Sequence, residues 1–248
     1  MPEVTRMATA DPITPPPVRR HGRRGPRPWT AAEVATLAQL PPFAGRTLSL
    51  AGDTLVETCP GAPTPRPVRF NRAEYYALDA ARFFRRQRVQ LVRGAILLEP
   101  PMNAPHATGV RKATRALERA FPTGHDVRSQ LPLNLEPLSE PHPDVAVVTG
   151  SVDDYAADHP TTAVLVVEVA DDSVFEDITS QAELYASAGI PEYWVVDIPN
   201  RRLRVFRNPA PIPDGGAAYR DDHVYSPGDT VSPLNAPTAV VPVADLLP

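Results

Sequence analysis

Two carboxylates stand at telling places in this chain. Asp144 follows Pro143 at the head of an apolar run, in SEPHPDVAVV, and Glu168 sits late in a second run, VLVVEVA. A strand meant only for a core has no use for a carboxylate near its end. If the two runs are neighbouring strands, both side chains can point at one site beside the sheet. Two carboxylates that close repel each other unless a cation lies between them. Hard oxygen donors with room for water suit Mg²⁺ or Mn²⁺, and the backbone carbonyl of Val169 offers a third oxygen. Such an ion can activate water and steady charge on a phosphate. A plainer reading also stands at this point, in which Asp144 caps a turn and Glu168 pairs with an arginine.

The elements that must position these acids follow from periodicity and punctuation. Strands are expected at 127–135, 144–148 and 164–170, then at 193–198 and 203–207 across a hairpin-like join at Pro199-Asn200. A helix is expected over 107–121, with Val110, Ala113, Leu117 and Phe121 on one face and Arg111, Lys112, Arg115 and Arg119 around the other. A second runs from about Asp177 to Ala188 and stops at Gly189. Apolar strand runs with helices between them predict an α/β fold with a mixed central sheet flanked by helices.

Upstream, residues 1–28 lack an apolar period, are rich in Pro and Arg, and read as a disordered tail. Residues 29–69 form an N-terminal extension, and 70–248 the main domain. The extension holds a short helix pattern and a strand pair turning at Ala51-Gly52, a plan that the stretch from Phe70 repeats. Trp29 matches Phe70, Glu33 matches Glu74, Leu37 matches Leu78, and after a one-residue slip Gly52 matches Gly94. A partial duplication of the opening unit would explain this, as would two unrelated helix–hairpin units.

Composition excludes several classes. The single cysteine, Cys59, rules out a disulfide framework and a cysteine-based zinc site. No apolar run approaches the roughly 18–20 residues of a membrane span, and nothing resembles a signal peptide, so a cytoplasmic chain without membrane partners is expected. The net charge of -4 argues against a nucleic-acid coat protein, though a local basic surface can still meet phosphate. Lys112 is the only lysine; it, or Arg111 or Arg115 beside it, is a candidate to face the site or a DNA backbone.

From Ser139 to Asp197 the sequence resembles the Uma-two family of candidate endonucleases, within the PD-(D/E)XK nuclease superfamily and its restriction-endonuclease-like fold. The Pro-Asp, the Glu-Val strand end and YASAGIPEYWVVD fall in the family's order and spacing, and the likeness extends from about Phe70 to the C-terminus. The resemblance implies Mg²⁺- or Mn²⁺-dependent DNA cleavage, with Asp144 and Glu168 as metal ligands and His106 matching the family's histidine. It also implies a homodimer by analogy with the superfamily. Two positions depart from the pattern. The lysine expected on the helix after the strand is Gln181, in the run that begins at Asp177, and the glutamate of the family's ELIDG is Gln90. Ala95 likewise replaces a common glutamate. These changes make a slow or inactive enzyme one expectation, and a non-catalytic nucleic-acid-binding or interaction protein on the same fold the alternative.

Overall fold

The computed structural model describes residues 25–171, 175–213 and 215–248, the side chains of 175–179 excepted. The chain opens with β1 (Gly25–Pro26), α1 (Ala31–Leu37) and the hairpin β2 (Thr47–Ala51) and β3 (Thr54–Thr58). It continues with β4 (Arg66–Pro67), α2 (Arg72–Ala80) and the hairpin β5 (Val89–Val92) and β6 (Ala95–Leu98). Both helices begin with a capping box: Thr30 exchanges hydrogen bonds with Glu33, and Asn71 with Glu74. This reciprocal pairing satisfies the first free N–H groups of a helix. The apolar residues of 25–98 form a core of their own, built on Trp29, Leu37, Phe43, Phe70, Leu78 and Phe84.

The main sheet comes next. After α3 (Ala104–Ala120) follow β7 (His125–Ser129), β8 (Val145–Thr149), β9 (Leu165–Ala170), α4 (Phe175–Ser187), β10 (Glu192–Asp197), β11 (Arg202–Pro211) and β12 (Ala217–Tyr225). The six strands lie in the order β12-β11-β10-β9-β8-β7. Only β9 and β10 are parallel, and α4 makes the crossover that a parallel pair requires. Alternate residues of each strand face opposite layers. Val145, Val147, Leu165, Val167 and Val169 meet Val110, Ala113 and Leu117 of α3. Ala146, Val148, Val166, Tyr193 and Val195 meet Leu184 and Tyr185 of α4. The expected mixed sheet covered on both sides is the fold observed.

The differences have local causes. The first strand ends at Ser129 rather than near residue 135, because Gln130 turns to φ +55° and Pro132 follows. β12 is not among the expected strands: AAYRDDHVY is an edge strand in which only Ala217 is buried, with too weak an apolar alternation to announce itself. The packed chain also starts earlier than Trp29. Gly25 and Pro26 pair with Leu98 and Leu97, and Arg27 is 4% exposed, with its guanidinium on Gln87, Glu33 and the Phe83 carbonyl. Residues 25–28 therefore do not belong to the expected tail, while 1–24 lie outside the described residues. Among the described residues no helix is long and apolar enough to cross a membrane.

Candidate metal centre at the end of β8 and β9

The antiparallel register of β8 and β9 pairs Val145 with Val167. One step further along, Asp144 comes opposite Glu168, so the two carboxylates are cross-strand neighbours at one end of the sheet. Both are buried, at 3% and 6% exposure. A buried charge is tolerated only when hydrogen-bonded or paired, and the partners arrive from both helical layers. Asp144 Oδ2 accepts the backbone N–H of Val169 at 2.8 Å. Its Oδ1 accepts from His106 Nε2 at 3.0 Å and, more weakly, from Gln130 Nε2 at 3.4 Å. On the other layer the Tyr185 hydroxyl of α4 donates to Glu168 Oε1 at 2.8 Å.

The N-terminus of α3 sets His106 in place. Asn103 caps the helix by accepting the His106 N–H at 3.0 Å, and the same side chain donates to Asp171 just beyond β9. Asn103 thus ties the helix start to the strand end. One turn on, Gly109 presses against β9, where an added Cβ would stand 2.8 Å from Val169 Cγ1. Only glycine allows α3 to approach closely enough for the imidazole to reach Asp144. Burial lowers the pKa of His106, but the hydrogen bond and charge of Asp144, then Asp171 and Glu168, outweigh it and hold the imidazole above its usual value. Three acids therefore bear on one imidazole, a field that favours cations.

The remaining expected site residues lie around this pair in different ways. Gln181 is on α4, half-buried and one helical turn before Tyr185, and so on the same side of the helix. Gln90, only 1% exposed, accepts the backbone N–H of His142 at 3.1 Å through Oε1, and among the described residues its buried amide nitrogen has no partner. Gln90 thereby holds the segment that leads through Pro143 to Asp144. His142 turns its ring to Glu99, which also meets Arg88. Ala95 sits half-buried in β6. Lys112 is not part of the site: its Nζ donates to the Leu247 carbonyl and ties α3 to the C-terminal segment. Arg111 and Arg115 are exposed on α3, and the side chain of Asp177 lies outside the described residues.

Sequence reasoning missed Tyr185, Asn103, Gly109, His142 and Glu99. YASAG was legible as a helix end, but nothing local marked its tyrosine as the donor to Glu168. The donors that remain suit a hard cation in kind. Mg²⁺ commonly binds through one or two carboxylates and keeps several waters. Among the described residues no group of three or more His, Cys, Asp or Glu side chains is placed to hold a metal ion, so backbone oxygen and water would have to complete such a shell.

A family model described as "Uma2: Putative restriction endonuclease" matches residues 72–244. A solved chain from Anabaena variabilis ATCC 29413, described as "a putative nuclease belonging to DUF820", is similar over 65% of this chain and 90% of its own. The TM-score is 0.51 at 14% identity, a likeness that shows the fold alone. No curated protein matches the chain.

Proposed function

The chain belongs to the Uma2 family, and on that premise we propose that it is a PD-(D/E)XK-type endonuclease that hydrolyses DNA phosphodiesters with Mg²⁺ or Mn²⁺. The observation that carries this reading is the pair of buried carboxylates, Asp144 just before β8 and Glu168 on β9, side by side with His106 and Tyr185 hydrogen-bonded to them. Asp144, Glu168 and the Val169 carbonyl would hold the ion, which when bound lowers the pKa of a coordinated water and offsets charge on the phosphate.

The chain's own residues supply positioning. Tyr185 fixes one oxygen of Glu168, leaving its orientation set by the packed α4 layer. His106 and the Val169 N–H fix Asp144 from two sides. Gln90 secures the approach to Asp144 through His142. Gln181 keeps hydrogen-bond donors where the resemblance places a lysine, so it can orient water but brings no charge to the phosphate. Loss of one electrostatic group of this kind costs on the order of 10²–10³ in rate, and the reading is therefore of a slow enzyme. The same substitution favours the second reading, a non-catalytic nucleic-acid-binding protein on this fold.

Plasmid nicking separates the two. With Mg²⁺ or Mn²⁺ the wild type converts supercoiled DNA to nicked or linear forms, Asp144→Ala with Glu168→Ala abolishes conversion, and Gln181→Lys raises it. Equal behaviour of wild type and the double variant would remove the enzymatic reading.

A further inference from the structure

The first 74 described residues hold a pattern that the nuclease reading does not use. The strand, capped helix and hairpin of residues 25–58 recur 41 positions later with no slip in register, although the 3₁₀ turn Pro41–Phe43 has no helical counterpart at 82–84. The helix caps Thr30 and Asn71 correspond, as do Glu33 and Glu74, Leu37 and Leu78, and Phe43 and Phe84. The hairpins pair identically: Leu48 with Glu57 and Leu50 with Leu55 in the first, Val89 with Leu98 and Leu91 with Ile96 in the second. The one-residue slip expected from the glycines is absent, because Gly52 takes the first turn position of one hairpin and Gly94 the second position of the other.

The correspondence includes an exchange. The opening strand of the first unit, Gly25-Pro26, pairs with Leu98 and Leu97 of the second unit's hairpin. The opening strand of the second unit, Arg66-Pro67, pairs with Glu57 and Val56 of the first unit's hairpin. The hydrogen bonds repeat the exchange: Arg27 N–H goes to the Ile96 carbonyl and Val68 N–H to that of Leu55. Two residues later both segments return to their own units, Trp29 to Asp53 and Phe70 to Gly94. Trp29 stacks on its own equivalent, Phe70, with centroids 5.5 Å apart. Reciprocal exchange plus self-contact of an equivalent residue is the signature of a two-fold, isologous interface.

We infer that residues 25–58 are a second copy of the domain's opening unit, occupying in cis the face on which residues 66–98 would otherwise bind the same unit of another copy of this chain. The environment of the two hairpins supports that occupant. The β5 edge docks on the main domain, with Glu140 N–H on the Leu91 carbonyl and Gly94 N–H on that of Leu138, and Leu91 is fully buried. At the equivalent β2 edge, Leu50 is only half-buried and its neighbours are exposed. That open edge is where the main domain of a second copy would lie in a symmetric pair. The family match, which begins at residue 72, leaves the first copy outside the shared region.

Pseudo-symmetry fixes the test. All variants carry Cys59→Ser. Gly25→Cys with Leu98→Cys is expected to link within one chain on oxidation; a product linked between chains would overturn the assignment in cis. Arg66→Cys with Leu98→Cys should not link in the otherwise intact chain, where each position faces a different partner. Adding Leu37→Asp, which disrupts the first copy's buried face, should release the second copy and produce a disulfide between chains, doubling the mass on a non-reducing gel. Further addition of Phe70→Asp should abolish that product. No interchain link in the released chain, or one that survives Phe70→Asp, overturns the inference. Should Leu37→Asp fail to fold, Trp29→Ala, which removes the ring stacked on Phe70 together with its contacts to Phe83 and Arg27, is scored by the same link at raised protein concentration, and its absence is equally decisive.

Discussion

Tyr185→Phe probes one contact that holds the Glu168 carboxylate. The ring is fully buried and stays in place against Tyr193, whose centroid lies 5.2 Å away, so the substitution deletes a hydroxyl and little else. What is lost is a 2.8 Å hydrogen bond to a carboxylate that is 6% exposed. A hydrogen bond to a charged group contributes about 1.5–3 kcal/mol, against about 0.5–1.5 kcal/mol for a neutral pair. For a chain of this size each kcal/mol moves Tm by about 2–4 °C, so the variant should melt about 3–12 °C lower. Thermal and urea unfolding in the presence of a chelator give the wild-type and variant stabilities. Repeating the substitution in a Glu168→Gln background completes a double-mutant cycle, and there the loss should shrink toward the neutral value. A loss below about 0.5 kcal/mol, or the same loss in both backgrounds, would refute the charged contact.

Two further perturbations probe the other layer. In metal-free protein His106 should titrate above its ordinary 6.5, since the hydrogen bond and charge of Asp144, with Asp171 and Glu168, outweigh its burial. A raised native pKa means that its contribution to stability is complete below about pH 6.5 and fades as pH rises through the native value. NMR of the imidazole should show this, and Asp144→Asn should lower the titration; an unchanged curve would contradict the contact. Gly109→Ala gains about 1 kcal/mol of helix propensity but places a Cβ 2.8 Å from Val169 Cγ1, and such overpacking costs about 1–3 kcal/mol. The net result should be a loss of up to about 2 kcal/mol with weakened coupling between His106 and Asp144, whereas a gain in stability would show that α3 is not pressed on β9 there.

The elements of this fold were legible wherever an apolar run decided them. VLVVEVA and YWVVDI could only be buried strands, and the helix between them ended at a glycine, so β9, α4 and β10 follow from local pattern. The acid pair was legible for the same reason, because a carboxylate inside such a run conflicts with burial. What local pattern cannot carry is contact across the fold. Tyr185 meets Glu168, Asn103 meets Asp171 and Gln90 meets His142 only because the sheet brings together segments 17, 68 and 52 residues apart. The exposed Arg-rich face of α3 suggested a role for Lys112 in the site, yet its amine is drawn to a C-terminal carbonyl that no helical period could reveal. The 41-residue correspondence was half visible, obscured by hairpin turns that place their glycines one position apart.

Metal-dependent stabilisation tests the central claim most directly, because it reads the proposed ion without requiring turnover. An ion that binds only the folded chain adds about 2.7 kcal/mol at a hundredfold excess over Kd, or about 5–11 °C in Tm for a chain of this size. Titration of chelator-treated protein with Mn²⁺ should raise Tm in the wild type and leave both Asp144→Ala and Glu168→Ala unmoved. A wild type that does not respond, or variants that respond as the wild type does, would contradict a divalent cation held between these two carboxylates.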